Sequence, residues 1–163
     1  MPKAYILVGI PGSGKSTWVN NQAWAPECAY VSTDKYVEEY AASQNKTYSE
    51  VFKDYMPTAV DLMARDVVTA RNNNKDIIWD QTSTTIQSRT RKFNMLPGYE
   101  MIAVVFPIPG KEELTRRLNS RPGKTIPDDV IQQMIDGYEM PTTEEGFTTV
   151  VRVGRKNGPQ ETN

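Results

Sequence analysis

Residues 9–17, GIPGSGKST, limit the folds open to this chain more than any other stretch. Three glycines and a proline occupy positions 9–14, and a lysine and two hydroxyls follow at once. The apolar run AYILVGI (4–10) leads into it, and residues 15–23 read as the start of a helix, so the segment is strand, glycine loop, helix. That is the setting the GxxxxGK(S/T) pattern requires. Glycines let backbone N–H groups converge on an anion without interference from Cβ, and the helix N-terminus adds its partial positive charge. Gly12, Ser13, Gly14, Lys15, Ser16 and Thr17 are therefore expected to cradle the phosphates of ATP. Lys15 would reach the β- and γ-phosphates, and Ser16 would ligate Mg²⁺.

The remaining strands are short apolar runs separated by helical patterns. CAYVSTD (28–34), DIIWD (76–80), EMIAVVF (100–106) and FTTVVRV (147–153) join AYILVGI to make five. Residues 35–73 read as two helices, with Pro57 near the start of the second. Residues 84–95, 110–119 and 128–138 read as three more, and NSRPGKTIP (119–127) as a loop. Strands alternating with helices imply an α/β domain, a parallel sheet of about five strands covered on both faces. One domain over residues 1–153 accounts for the length, and the polar tail 154–163 is expected to be disordered.

The chain has no histidine, which removes Ser-His-Asp and Cys-His catalysis. The single cysteine, Cys28, leaves no internal disulfide. No apolar run reaches membrane-spanning length, and MPKAYILVGIPG lacks a signal-peptide layout, so the expectation is a cytoplasmic protein with no membrane partner. A net charge of −1 excludes a sequence-independent nucleic-acid coat protein, and any nucleic acid must meet a local patch.

Without histidine, acid–base work falls to carboxylates, lysine or tyrosine. Asp34 is read as ending the second strand and Asp80 the third, where ligands of parallel sheets sit. Either could bind Mg²⁺, accept a proton or cap the next helix. Two basic clusters accompany them. RTRK (89–92) follows Asp80, and Arg89 and Arg91 are placed to hold an acceptor phosphate. Arg116, Arg117, Arg121 and Lys124 straddle SRPG, a loop from which an arginine could swing over ATP. Arg116, Lys92 and Lys124 read as solvated cations.

GIPGSGKSTW, STDKY, DQTSTTIQSRTR, RRLNSRPGKTIPDDV and PTTEEGFTTVVRV together resemble the 5′-kinase domain of polynucleotide kinases, both the phage type and the type fused to a phosphatase. The resemblance spans about residues 3–153. It implies a three-layer P-loop kinase fold with an arginine lid. It implies Asp34 as general base and Asp80 as a residue that binds or orients the accepting hydroxyl. It also implies Arg121 on the ATP phosphates and Arg89 and Arg91 on the acceptor phosphate; Arg117, in the same basic cluster as Arg121, is read as a further ATP-binding residue. The catalytic set is then Asp34, Lys15 and Arg121, with ATP as donor, Mg²⁺ as cofactor and a nucleic acid as acceptor. The phage type carries an arginine three residues after the base, where this chain has Val37. There is no phosphatase domain, so 3′-phosphate removal is not expected. The favoured acceptor is a polynucleotide 5′-OH. Alternatives are a hydroxymethylated DNA base, a nucleoside or another small-molecule hydroxyl, and an NTP-dependent switch with no acceptor.

Overall fold

The computed structural model describes residues 1–154; of the tail 154–163 expected to be disordered, residues 155–163 lie outside the described residues. Five strands, β1 (Lys3–Val8), β2 (Ala29–Val31), β3 (Ile77–Trp79), β4 (Glu100–Val105) and β5 (Thr149–Arg152), form one parallel sheet in the order β2-β3-β1-β4-β5. Strands buried on both faces need apolar side chains at every position rather than alternate ones. The central strand β1 shows why. Ala4, Ile6 and Val8 face a core that includes Val67, Trp79, Leu96 and Phe147. Tyr5 and Leu7 face the other, with Trp18, Ile78, Val104 and Phe106.

Among the described residues six α-helices connect the strands: α1 (Lys15–Asn20), α2 (Asp34–Ser43), α3 (Tyr48–Asn72), α4 (Ile86–Met95), α5 (Lys111–Asn119) and α6 (Asp128–Asp136). The structure bears out the five-stranded α/β reading and corrects two details. Asp34 does not end a strand: β2 stops at Val31, and Asp34 is the first residue of α2. Pro57 is not near a helix start but well inside the 25-residue α3. The true start is a capping box, in which Thr47 Oγ1 accepts from Glu50 N and Thr47 N donates to Glu50 Oε1.

Two satellite cores flank the sheet. Val37, Ala41, Val51 and Ala59 pack α2 against α3. Ile10, Leu114 and Ile131 seat α5 and α6 on the glycine loop. The loop between those helices, residues 120–127, therefore lies over the carboxyl edge of the sheet, in the position of a lid.

Candidate active site

All five strands run the same way, so their carboxyl ends open on one edge, the usual place for a ligand in such a sheet. A cleft of about 1620 Å³ lies there, larger than the roughly 300–1,000 Å³ of an ordinary small-ligand pocket. It has room for a donor and an acceptor. The loop Gly12–Thr17 lines one side, and Asp34, Tyr48 and Asp80 line another, with Arg117, Arg121 and Lys124 from the lid region.

The glycine loop connects β1 to α1. Gly14, at the N-cap of α1, has φ 101°, a conformation that excludes most side chains. Lys15 Nζ donates to the carbonyls of Gly9 at 2.8 Å and Ile10 at 3.0 Å. Burial lowers its pKa to about 8, against the raising attraction of Asp80. Ser13 Oγ is buried with no partner among the described residues. A bound phosphate would meet these needs, restoring full charge to Lys15 and offering acceptor oxygens in place of the loop carbonyls. Ser16 is exposed at the mouth of the loop. Among the described residues no cluster of three or more carboxylates, cysteines or histidines could hold a metal alone. The donors fit Mg²⁺ carried by nucleotide phosphates, which is how that ion is usually bound.

The carboxylates have distinct surroundings. Asp80, immediately after β3, accepts a hydrogen bond from the Tyr30 hydroxyl. Burial raises its pKa, while Tyr30 and Lys15 pull it back down. Asp34 opens α2 with its amide donating to Ser32 Oγ at 3.1 Å. Its Oδ1 accepts from the Tyr48 hydroxyl at 2.6 Å, and its Oδ2 from Lys124 Nζ at 3.0 Å. Burial and the bond to Asp34 both push the Tyr48 hydroxyl to a pKa far above its usual value, so it stays a donor.

From the lid region, Arg117 donates to the Gly12 carbonyl at 3.0 Å and pairs with Glu113 at 2.6 Å, tying α5 to the glycine loop. Arg121 lines the cleft; its carbonyl accepts from Lys124 N at 3.4 Å, and its guanidinium makes no hydrogen bond or ion pair among the described residues. It is close enough to Lys15 to lower that lysine's pKa.

The RTRK cluster is not brought to the cleft. Arg89 is fully buried (0% exposed), with its guanidinium donating to both Glu145 oxygens and to the Ser83 carbonyl. An acceptor phosphate would have to displace a buried carboxylate to reach it. Arg91 is exposed on α4 and does not line the cleft. Lys92, expected to be solvated, is buried with its Nζ 5.2 Å from the centroid of the Trp79 ring. Lys124, also expected to be solvated, has a side chain only 15% exposed and pairs with Asp34. Arg116 is solvated as expected, with a side chain 70% exposed. Tyr48 and Lys124 are the site residues that sequence reasoning missed. The capping box at residues 47–50 was the available signal for where Tyr48 begins α3.

A parallel sheet of this order, with a glycine loop after its central strand and a lid between two helices, defines the P-loop kinase fold. The chain belongs to the AAA domain family AAA_33, whose model matches residues 5–141. It is 26% identical over 153 residues to the bifunctional polynucleotide phosphatase/kinase of Schizosaccharomyces pombe, an alignment that takes in 91% of this chain and 32% of that protein. The chain thus spans about a third of that relative's length. Among solved structures, it is similar to a chain of the Pnkp1/Rnl/Hen1 RNA repair complex, with 24% identity, TM-score 0.62, and 83% of this chain and 43% of that one covered. It is also similar to a gluconokinase from Sinorhizobium meliloti 1021, with 17% identity, TM-score 0.53, and 95% and 85% covered. These two likenesses are of fold.

Proposed function

We propose that this chain is an ATP- and Mg²⁺-dependent kinase that transfers the γ-phosphate to a hydroxyl of a polynucleotide, most simply its 5′-OH. The observation that carries the reading is the shared cleft: an anion loop with a desolvated lysine faces two carboxylates, in a space larger than one nucleotide needs. A switch that only binds nucleotide has no use for a carboxylate held as Asp34 is held.

Lys15 and the loop amides bind the β- and γ-phosphates. Ser16 is the residue that would hold Mg²⁺, which when bound neutralises phosphate charge. Asp34 accepts the proton of the attacking hydroxyl as its oxygen bonds to the γ-phosphorus and the bond to the ADP oxygen breaks. Asp80, held by Tyr30, orients the acceptor. Arg121 is free to swing onto the phosphates as charge spreads over the leaving group. Arg117 supports the loop through the Gly12 carbonyl. Arg91 is the remaining acceptor-phosphate candidate of its cluster, reached only by acceptor extending beyond the cleft.

The polynucleotide acceptor draws support from the likeness to the phosphatase/kinase of S. pombe. A small-molecule hydroxyl is the second reading, favoured by one observation: neither Arg89 nor Arg91 lines the cleft. The test is transfer of labelled γ-phosphate from ATP to a 5′-OH oligonucleotide, an oligonucleotide with hydroxymethylated bases, nucleosides, sugars and water, with Lys15→Ala as the inactive control. Transfer to the 5′-OH oligonucleotide at a far higher kcat/KM than to nucleosides or sugars is expected. The reverse order would leave the kinase and replace its acceptor, and label released only to water would leave a nucleotide hydrolase.

A further inference from the structure

Lys124 lies 90 residues from Asp34 in the chain, yet its Nζ sits 3.0 Å from Asp34 Oδ2. Its only other carboxylate among the described residues, Glu38, is more distant at 3.5 Å and has a side chain 58% exposed. The ammonium also lies 4.3 Å from the centroid of the Tyr48 ring, where a cation is attracted to the aromatic face. Tyr48 itself donates to the other oxygen, Oδ1. Asp34 is thus gripped on both oxygens, by a tyrosine from α3 and a lysine from the lid. Each carboxylate oxygen has two lone-pair directions. The grip uses one on each and leaves one open for an incoming hydroxyl.

α2 itself supplies no such cation. Val37 is sealed in the α2–α3 core, and Lys35 is turned to the Tyr30 carbonyl and Asp66. The cation reaches the site only because the lid is clasped to the start of α3. Ser49 N donates to the Gly123 carbonyl at 3.0 Å, and Thr125 N donates to Ser49 Oγ at 2.9 Å. Gly123 has φ 69°, and a Cβ there would lie 2.8 Å from Thr47 Cβ, so the clasp requires glycine at this point.

We infer that Lys124 is a lid-borne positioning residue for Asp34, and that lid closure and alignment of the proton acceptor are one event. This rests on the reading of Asp34 as the base. A base aligned only when the lid is down accepts a proton from an acceptor hydroxyl only when water is being excluded.

The experiment is single-turnover phosphate transfer at saturating ATP and 5′-OH oligonucleotide, with ATP affinity measured separately, for Lys124→Met, Lys124→Arg, Asp34→Asn and the double variant Lys124→Met/Asp34→Asn. Lys124→Met should slow transfer about 10- to 100-fold, as expected for a misaligned catalytic group, and leave ATP affinity within about threefold. Lys124→Arg should recover most of the rate, because it restores the cation. In the Asp34→Asn background, Lys124→Met should cost less than about threefold, because groups that act as a unit are not additive. If Lys124→Met slows both backgrounds equally, or weakens ATP binding in parallel with the rate, Lys124 acts on the donor and the inference is overturned. A wild-type rate for Lys124→Met beside a slow Asp34→Asn would overturn the inference alone. A wild-type rate for Asp34→Asn would overturn the base assignment itself.

Discussion

At Lys92 a full positive charge is held inside the protein, and this has a measurable consequence. Burial lowers its pKa to about 8, with Arg91 and Arg89 adding repulsion. The displacement from 10.5 corresponds to about 3 kcal/mol, from which attraction to the Trp79 ring returns up to about 2 kcal/mol. The folded-state pKa is depressed, so between pH 8 and 10.5 the unfolded chain binds more protons than the folded one, and stability rises with pH across that window. Below it the penalty is present in full. Lys92→Met keeps the length of the stem and removes the charge. It should raise the urea midpoint at pH 7 and reduce the rise in stability between pH 8 and 10.5, with Lys15 still contributing in the same direction. A variant less stable than wild type at pH 7 would mean that the ring and the Ser88 carbonyl, which Nζ reaches at 3.5 Å, more than offset the burial.

Among the elements, α3 and α4 repay attention because each carries a residue that its sequence position misrepresents. Pro57 sits in the middle of α3, where its ring removes one backbone hydrogen bond and crowds the turn before it. It is exposed, so Pro57→Ala should stabilise the protein by about 1–3 kcal/mol in chemical denaturation. No gain would mean that neighbouring geometry has already absorbed the cost. Arg89 on α4 is the hub of a buried pair that ties this helix to the 3₁₀ turn Thr143–Glu145 ahead of β5. Glu145→Gln leaves that guanidinium buried and uncompensated, which should cost about 3–5 kcal/mol. The KM values for ATP and acceptor should be unchanged at a temperature where the variant is folded. A raised acceptor KM with normal stability would return Arg89 to the acceptor site. The same two helices show how much was legible. Runs such as EMIAVVF and DIIWD announced buried strands because apolar side chains have nowhere else to go. The proline in α3 outweighed the quieter Thr47–Glu50 cap in locating its start. Nothing local distinguishes Arg89 from its exposed neighbour Arg91, since burial depends on a glutamate 56 residues away. Lys124 was hidden for the same reason. The placement of the glycine loop and both aspartates at the cleft was legible because each lies just beyond an apolar run that could be read as a strand.

For the molecule as a whole, charge sets how it can meet a polynucleotide. The net charge is −1, and the cations that line the cleft, Lys15, Lys35, Arg116, Arg117, Arg121 and Lys124, are largely committed. Lys15 faces the anion loop, Arg116 and Arg117 hold Glu113, Lys35 holds Asp66 and Lys124 holds Asp34. Arg91 stands apart on the surface of α4. On the proposed reading, a cleft with so few uncommitted cations suits the end of a strand rather than a long run of its backbone. For a single strand, log K falls with log salt by about 0.7 for each phosphate neutralised. One or two contacts predict a slope no steeper than about −1.4, where a strand-coating protein would show several times that. The acceptor KM should therefore stop improving once the oligonucleotide is two or three nucleotides long, and Arg91→Ala should flatten the salt slope by at most about 0.7. Measurement is by initial-rate transfer to 5′-OH oligonucleotides of one to twelve residues at several salt concentrations. A KM that keeps falling out to twelve residues, with a slope steeper than about −3, would require a basic track beyond the cleft and would overturn end recognition. A KM as good for a mononucleoside as for a trinucleotide would make the acceptor a small molecule.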